Sequence, residues 1–199
     1  STTSTTKLNS KSSPASTANN MADTKKLYCD TLLRLCETQP LNRITVTALI
    51  KETHTARQTF YNNFRDMNDL VSYIPISHLV QSGLPINTVE NIRHAFAFAQ
   101  HHKGFFRQLP DHAGQNNFRD TILEWLQQAS YEQHLSPSLS PDEKLLLKLK
   151  IDVYLCGIVD VFLQWCRCDL QWSFEVVLDA IWQCAPDFLR KEPLQATLE

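Results

Sequence analysis

Arg57, Gln58, Thr59, Tyr61 and Asn62 bring a cation, two amides and two hydroxyls together within less than two helical turns. On one helix, groups of these types suit duplex nucleic acid. Arg pairs bidentately with guanine and Gln with adenine in a major groove. Tyr and Thr hydroxyls and Asn amides suit the flanking phosphate oxygens. The expected chemistry is therefore recognition by hydrogen bonding, with no covalent step.

Two short helices are expected to position these side chains. Residues 45–52 place Val46, Leu49 and Ile50 at helical spacing behind Thr45, whose hydroxyl can cap the free N–H groups of the first turn. Residues 56–63 put Phe60 inward, with Phe64 one turn later, and leave the polar residues outward. A tight turn between them gives a helix-turn-helix. Upstream, residues 25–37 carry Leu27, Leu32, Leu33, Leu35 and Cys36 among charged residues, as an amphipathic helix should, and Pro40 follows its end. With Tyr28 and Leu32 or Leu35 among its buried contacts, that helix would complete a three-helix unit.

The run T-V-x-x-L-I (from Thr45), then R-Q-T-F-Y-x-x-F (from Arg57), then D-x-x-D-L (Asp66, Asp69, Leu70) resembles the N-terminal domain of the tetracycline-repressor (TetR) family of bacterial transcription regulators. The branch containing regulators of dihydroxyacetone kinase operons is the most similar. The resemblance covers roughly residues 27–73. It implies that Thr45 and Thr59 touch phosphates, that Arg57 and Gln58 face bases, and that Tyr61 and Asn62 meet backbone or thymine methyls. Thr55 and Asn63 complete the expected DNA-binding set. The chain departs from the family pattern at His54, where the turn usually has Gly and a positive φ is expected, and at Ala56, which leaves Thr55 to supply the helix cap. Asn62 and Asn63 replace the usual Tyr-His pair, and Met67 replaces a frequent Lys.

The 199 residues, 43% of them apolar, suffice for a small reader and a larger partner domain, and scarce Gly with no alternating strand pattern points to an all-α fold. The expected division is a disordered leader or tag over 1–21, preceding Met21, a helix-turn-helix DNA-binding domain over 22–75, and a helical ligand-binding and dimerisation domain over 76–199. The net charge is only −2, but residues 22–75 hold seven Lys/Arg against six Asp/Glu, whereas residues 76–199 hold ten against fifteen. This asymmetry favours an end-on approach to DNA. Six cysteines without a secretion signal suit reduced thiols in a cytoplasm. No membrane span is expected, because Asp152 and Asp160 interrupt the most apolar stretch.

The pattern stays helical beyond residue 66. A connecting helix through Leu79 should be kinked or divided by Pro75. Helices are then expected over 88–108, interrupted near Gly104, over 116–133, from 144 to 165 with a good start at Pro141, Asp142 and Glu143, and over 173–190. The 144–165 helix is apolar on most sides and needs partners on more than one. Gly157, Trp165, Val177 and Ile181 are the candidates for a four-helix seam between two copies, and the spacing from Gly157 to Trp165 and on to Ser173 and Glu175 resembles the dimerising end of the same family. The reading is a homodimeric repressor on a near-palindromic DNA operator, released by an unknown small-molecule effector. Phe98, His101, Phe105, Trp125 and Gln164 are the candidate pocket residues.

Three other chemistries compete. His94, His101, His102, His112 and His134 invite a metal, yet no H-E-x-x-H or C-x-x-C is present, so surface histidines and no metal are expected. Catalysis finds no G-x-S-x-G, phosphate-cradling loop or dinucleotide fingerprint, so neither an enzyme nor a cofactor is expected. A regulator acting mainly through protein–protein contacts, with weak DNA binding, is the alternative that the low basic charge leaves open.

Overall fold

Apolar residues at helical spacing produce an all-α fold in the computed structural model, which describes residues 14–112 and 118–189, with side chains from residue 20. The order is α1 (Pro14–Cys36), a 3-10 turn (Leu41–Arg43), α2 (Val46–Thr53), α3 (Arg57–Asn63), α4 (Met67–Gln81), α5 (Val89–His101), α6 (Lys103–Phe106), a second 3-10 turn (Leu109–Asp111), α7 (Phe118–His134), α8 (Pro141–Arg167) and α9 (Phe174–Gln183). No strand occurs among the described residues.

Local signals explain most boundaries. Thr45, Asp66, Thr88 and Ser140 each accept a first-turn N–H with the side chain, and Ser140 with Glu143 forms a reciprocal capping box ahead of Pro141. Helix α2 ends where His54 adopts a left-handed φ of 52°, its N–H reaching the Ile50 and Lys51 carbonyls. His is among the non-glycine residues that enter this region most readily, but still at a cost.

Four boundaries differ from the sequence reading. Helix α1 begins at Pro14, inside the segment expected to be a disordered leader, because residues 14–24 continue the helix without a break; residues 1–13 lie outside the described ones. Pro75 sits within α4 without dividing it. The break expected near Gly104 comes at His102, whose φ of −110° and ψ of 43° separate α5 from α6. Helix α9 ends at Gln183, and position 190 is outside the described residues.

One hydrophobic cluster runs from Tyr28 on α1 to Ala185 after α9. Residue 75, where the sequence reading divides the chain, lies inside α4, whose Leu70, Val71 and Ile74 join that cluster. Two further links tie the N-terminal helices to the rest. Gln108 accepts the Leu41 N–H at 2.6 Å while donating to the Gly104 carbonyl at 2.6 Å. Gly104 sits close to the end of α1: a Cβ there would come within 2.7 Å of the exposed Glu37 carboxyl, which would have to swing aside.

Histidines are less superficial than expected. His94 and His101 are exposed, but His102, His112 and His134 are half-buried, with His112 Nε2 paired to Asn68 Oδ1 at 2.8 Å. Burial pushes His78, His102, His112 and His134 below the ordinary imidazole range. An unfolded His takes up its proton near pH 6.5, roughly, while these folded ones resist it, so the unfolded state binds more protons on acidification. The melting temperature should be level between about pH 7.5 and 8 and fall from about pH 6.5 towards 5, before carboxylates titrate. Calorimetry across that range checks this, and a level profile would refute it. At the turn, His54→Gly should relieve left-handed strain and stabilise by about 0.5–1 kcal/mol, raising the midpoint by roughly 1–4 °C; a lowered midpoint would contradict the strain.

Candidate nucleic-acid interface and cavity

Helix α3 has only seven residues, too few to hold its own conformation in water. Its inner face supplies the anchor. Phe60 is fully buried and Phe64 nearly so, and Tyr28 meets both edge-on, with ring centroids at 5.3 and 6.2 Å. Tyr73 on α4 closes the cluster against Phe64 at 5.3 Å, with the Lys25 ammonium 4.8 Å from its ring centre. The Tyr28 hydroxyl shares a hydrogen bond of 2.6 Å with Thr55, which shares another of 2.9 Å with Thr53. Arg34 binds Glu52 at 2.8 Å and joins α1 to α2.

The outer face of α3 presents what the sequence led one to expect. Arg57, Gln58, Tyr61 and Asn62 are exposed, Thr59 is half-buried, and Thr45 is exposed at the start of α2. These side chains pair along the helix: Arg57 donates to the Tyr61 hydroxyl at 3.3 Å and lies 5.4 Å from its ring centre, and Gln58 donates to Asn62 at 2.8 Å. Exposed i,i+4 pairs stabilise weakly, by about 0.2–0.5 kcal/mol each, so a ligand offering better partners can displace them.

Two expected contacts turn inward. Thr55 does not cap α3: Ala56 holds the cap position with no side-chain hydrogen bond, and the Thr55 hydroxyl is spent on Tyr28 and Thr53. Asn63 is half-buried, its amide donating to the Thr59 carbonyl at 2.8 Å, and its Oδ1 is enclosed without a partner.

A cavity of about 80 Å³ lies among α4, α5, α6, α7 and α8. Of the five residues expected to line a pocket, it takes Phe98. Gln164 borders a separate surface cleft with Arg119 and Asp160. His101 is exposed, Trp125 is half-buried outside the cavity wall, and Phe105 is fully buried in the core. Helix α4 also supplies a wall, through Pro75, His78 and Leu79. The missed lining residues include His78, Asn91, Ile122 and Phe162. Apolar spacing on the facing helices was the only signal for Ile122 and Phe162, and nothing marked His78 and Asn91.

Three of the four expected seam residues lie inside the protomer. Trp165 is 0% exposed, stacked on Phe96 with centroids 4.9 Å apart, and Val177 and Ile181 are buried within the same core. Gly157 is exposed, with nothing within 4 Å of a Cβ built on it. A helix apolar all round does not reveal which side faces its own protomer. The side left uncovered carries Leu146, Leu149 and Val153, the last 75% exposed, in register with Gly157; Val176 on α9 is 67% exposed.

Among the described residues no group of three or more His, Cys, Asp or Glu side chains could hold a metal ion, and no helix is long and apolar enough to cross a membrane. No protein-family model and no curated protein matches the sequence. A solved structure, the dihydroxyacetone kinase operon activator DhaS, is similar in fold, with a TM-score of 0.52 at 16% identity over 80% of this chain and 92% of that one.

Proposed function

We propose that the protein is a non-enzymatic, DNA-binding transcription regulator of TetR type, working as a homodimer whose hold on a near-palindromic operator is changed by a small molecule. The observation that carries this reading is the outer face of α3. Arg57, Gln58, Tyr61 and Asn62 stand exposed on a helix whose opposite side is locked by Tyr28, Phe60 and Phe64. Such a face has the groups and the rigidity to read base edges from a major groove. The fold shared with DhaS, named as an operon activator, supports the same reading.

Two copies joined through the α8 side bearing Leu146, Leu149 and Val153 would place two α3 faces at successive major grooves, about 34 Å apart. Coupling to an effector has a physical route in α4. Leu70 and Ile74 pack with the N-terminal helices, while Pro75, His78 and Leu79 wall the cavity. A molecule that fits the cavity better in one arrangement of α4 than another would shift the population accordingly. Occupancy would repress where the operator overlaps a promoter, the mode implied by the family resemblance, and would activate where it lies upstream.

Gel shift with DNA flanking the protein's own gene, followed by genome-wide footprinting, tests the central reading. Arg57→Ala should weaken specific binding roughly 5- to 150-fold, the equivalent of about 1–3 kcal/mol, with its melting temperature unchanged. Absence of any sequence-specific shift by the native protein would instead favour a module acting through protein contacts. For the dimer, Leu149→Glu should place a charge in the apolar seam and yield a monomer in sedimentation velocity while the helical circular dichroism is kept; a wild-type protein that is itself monomeric at micromolar concentration would remove the seam.

A further inference from the structure

The walls of the cavity are informative about what can occupy it. Ile92, Phe98, Phe106, Ile122, Ile158 and Phe162 supply most of the surface, and no Lys, Arg, Asp or Glu is among the lining residues. The side-chain amides of the two wall asparagines are already donating to neighbours. Asn87, 5% exposed, donates to Ser130 at 2.6 Å, and Ser130 in turn donates to the Leu126 carbonyl at 2.7 Å. Asn91, 2% exposed, donates to Ser82 at 3.3 Å. His78 lies flat on Phe98, with ring centroids 3.8 Å apart, and its Nε2 is enclosed without a hydrogen-bond partner.

We infer that this cavity takes a small, uncharged, largely apolar molecule of about one ring, carrying at most one hydrogen-bond donor, and rejects polyols, carboxylates and phosphates. The inference rests on the proposed role of the cavity as the effector site and specifies the chemistry of its ligand. Size sets the first limit. A water-sized group needs roughly 10–15 Å³ of such space, so about 80 Å³ holds on the order of five to eight heavy atoms. Charge sets the second. A carboxylate or phosphate buried here would meet no Lys or Arg, and burial disfavours the charged form of the His78 ring. Hydrogen bonding sets the third. Each hydroxyl of a polyol would exchange water for hydrocarbon, with His78 Nε2 the one unengaged acceptor identified on the wall. An apolar ring, by contrast, leaves water for a surface that already excludes it.

Three probes of similar size separate these terms: toluene, benzoate and glycerol, each titrated into the full-length protein in the absence of DNA. Toluene at roughly ten times its Kd should raise the melting temperature by a few degrees, and should perturb the Ala95 and Ile122 amide resonances. Benzoate and glycerol at the same concentration should do neither. Ala95→Leu, which fills the space from α5, should abolish the toluene response while leaving the melting temperature of the free protein within a few degrees. Should that variant misfold, Ile122→Phe fills the same space from α7. Benzoate or glycerol matching toluene, no response to toluene at all, or an undiminished response in a folded cavity-filling variant would overturn the inference. Gel shifts keep the two readings apart: toluene bound with DNA affinity unchanged refutes the effector role but not the ligand class, whereas specific DNA binding without a toluene response refutes the ligand class alone.

Discussion

Burial of Tyr28 is the constraint on which the candidate interface depends. Its ring lies edge-on to Phe60 and Phe64, and its hydroxyl is paired with Thr55. A seven-residue helix costs more to nucleate than its own hydrogen bonds return, so α3 exists because that aromatic cluster holds it. The same cluster fixes its rotation. With Phe60 and Phe64 inward, helical spacing leaves Arg57, Gln58, Tyr61 and Asn62 outward. Thr55 therefore contributes through the hydroxyl chain linking Tyr28 to Thr53, a bracing role in place of an expected cap.

That arrangement is continuous with the rest of the molecule through α4. Tyr73 packs on Phe64, and five residues later His78 lies on Phe98 at the cavity. Interiors packed at crystal-like density transmit displacement because neighbours have little room to yield. The Gln108–Leu41 hydrogen bond gives the N-terminal helices a second fixed point. On the proposed reading, a change in cavity contents would act on the N-terminal helices through these two points, with no need to deform α3. The aromatic anchor and the reading face would thus move as one body.

Much of this was legible in the sequence, for identifiable reasons. Side-chain caps are local, so Thr45, Asp66, Thr88 and Ser140 announce their helices wherever these end up in space. Phe60 and Phe64 belong to an amphipathic pattern with one apolar side, and one side admits one orientation. Helix α8 is different. Apolar on most of its circumference, it permits several rotations, and only packing against neighbours such as α5 and α7 determines that Trp165 goes inside while Leu149 and Val153 stay out. The cavity residues were missed for a similar reason, since an Ile that walls a hole and an Ile that fills a core carry the same sequence signal. Pro75 does not divide α4, because the hydrogen bond it removes and the crowding of its ring against the preceding turn are local costs that the packed flanks of the helix outweigh.

Electrostatics bears on how such a molecule would recognise DNA. With seven Lys/Arg against six Asp/Glu over residues 22–75, and with Arg34 and Arg65 already facing Glu52 and Asp69, long-range attraction to a duplex is small. A strongly basic reader binds any duplex through released counterions and then searches for its site. On the proposed reading, this protein has little of that sequence-independent term, so its affinity must come from direct contacts by α3 and from joining two heads on one operator. Linking the heads makes the second contact intramolecular, at an effective concentration set by the rigidity of the α8 seam. The exposed Leu146, Leu149 and Val153 then have a function that a monomer would not give them, because without pairing, the few groups on one α3 would bind too weakly to select a site.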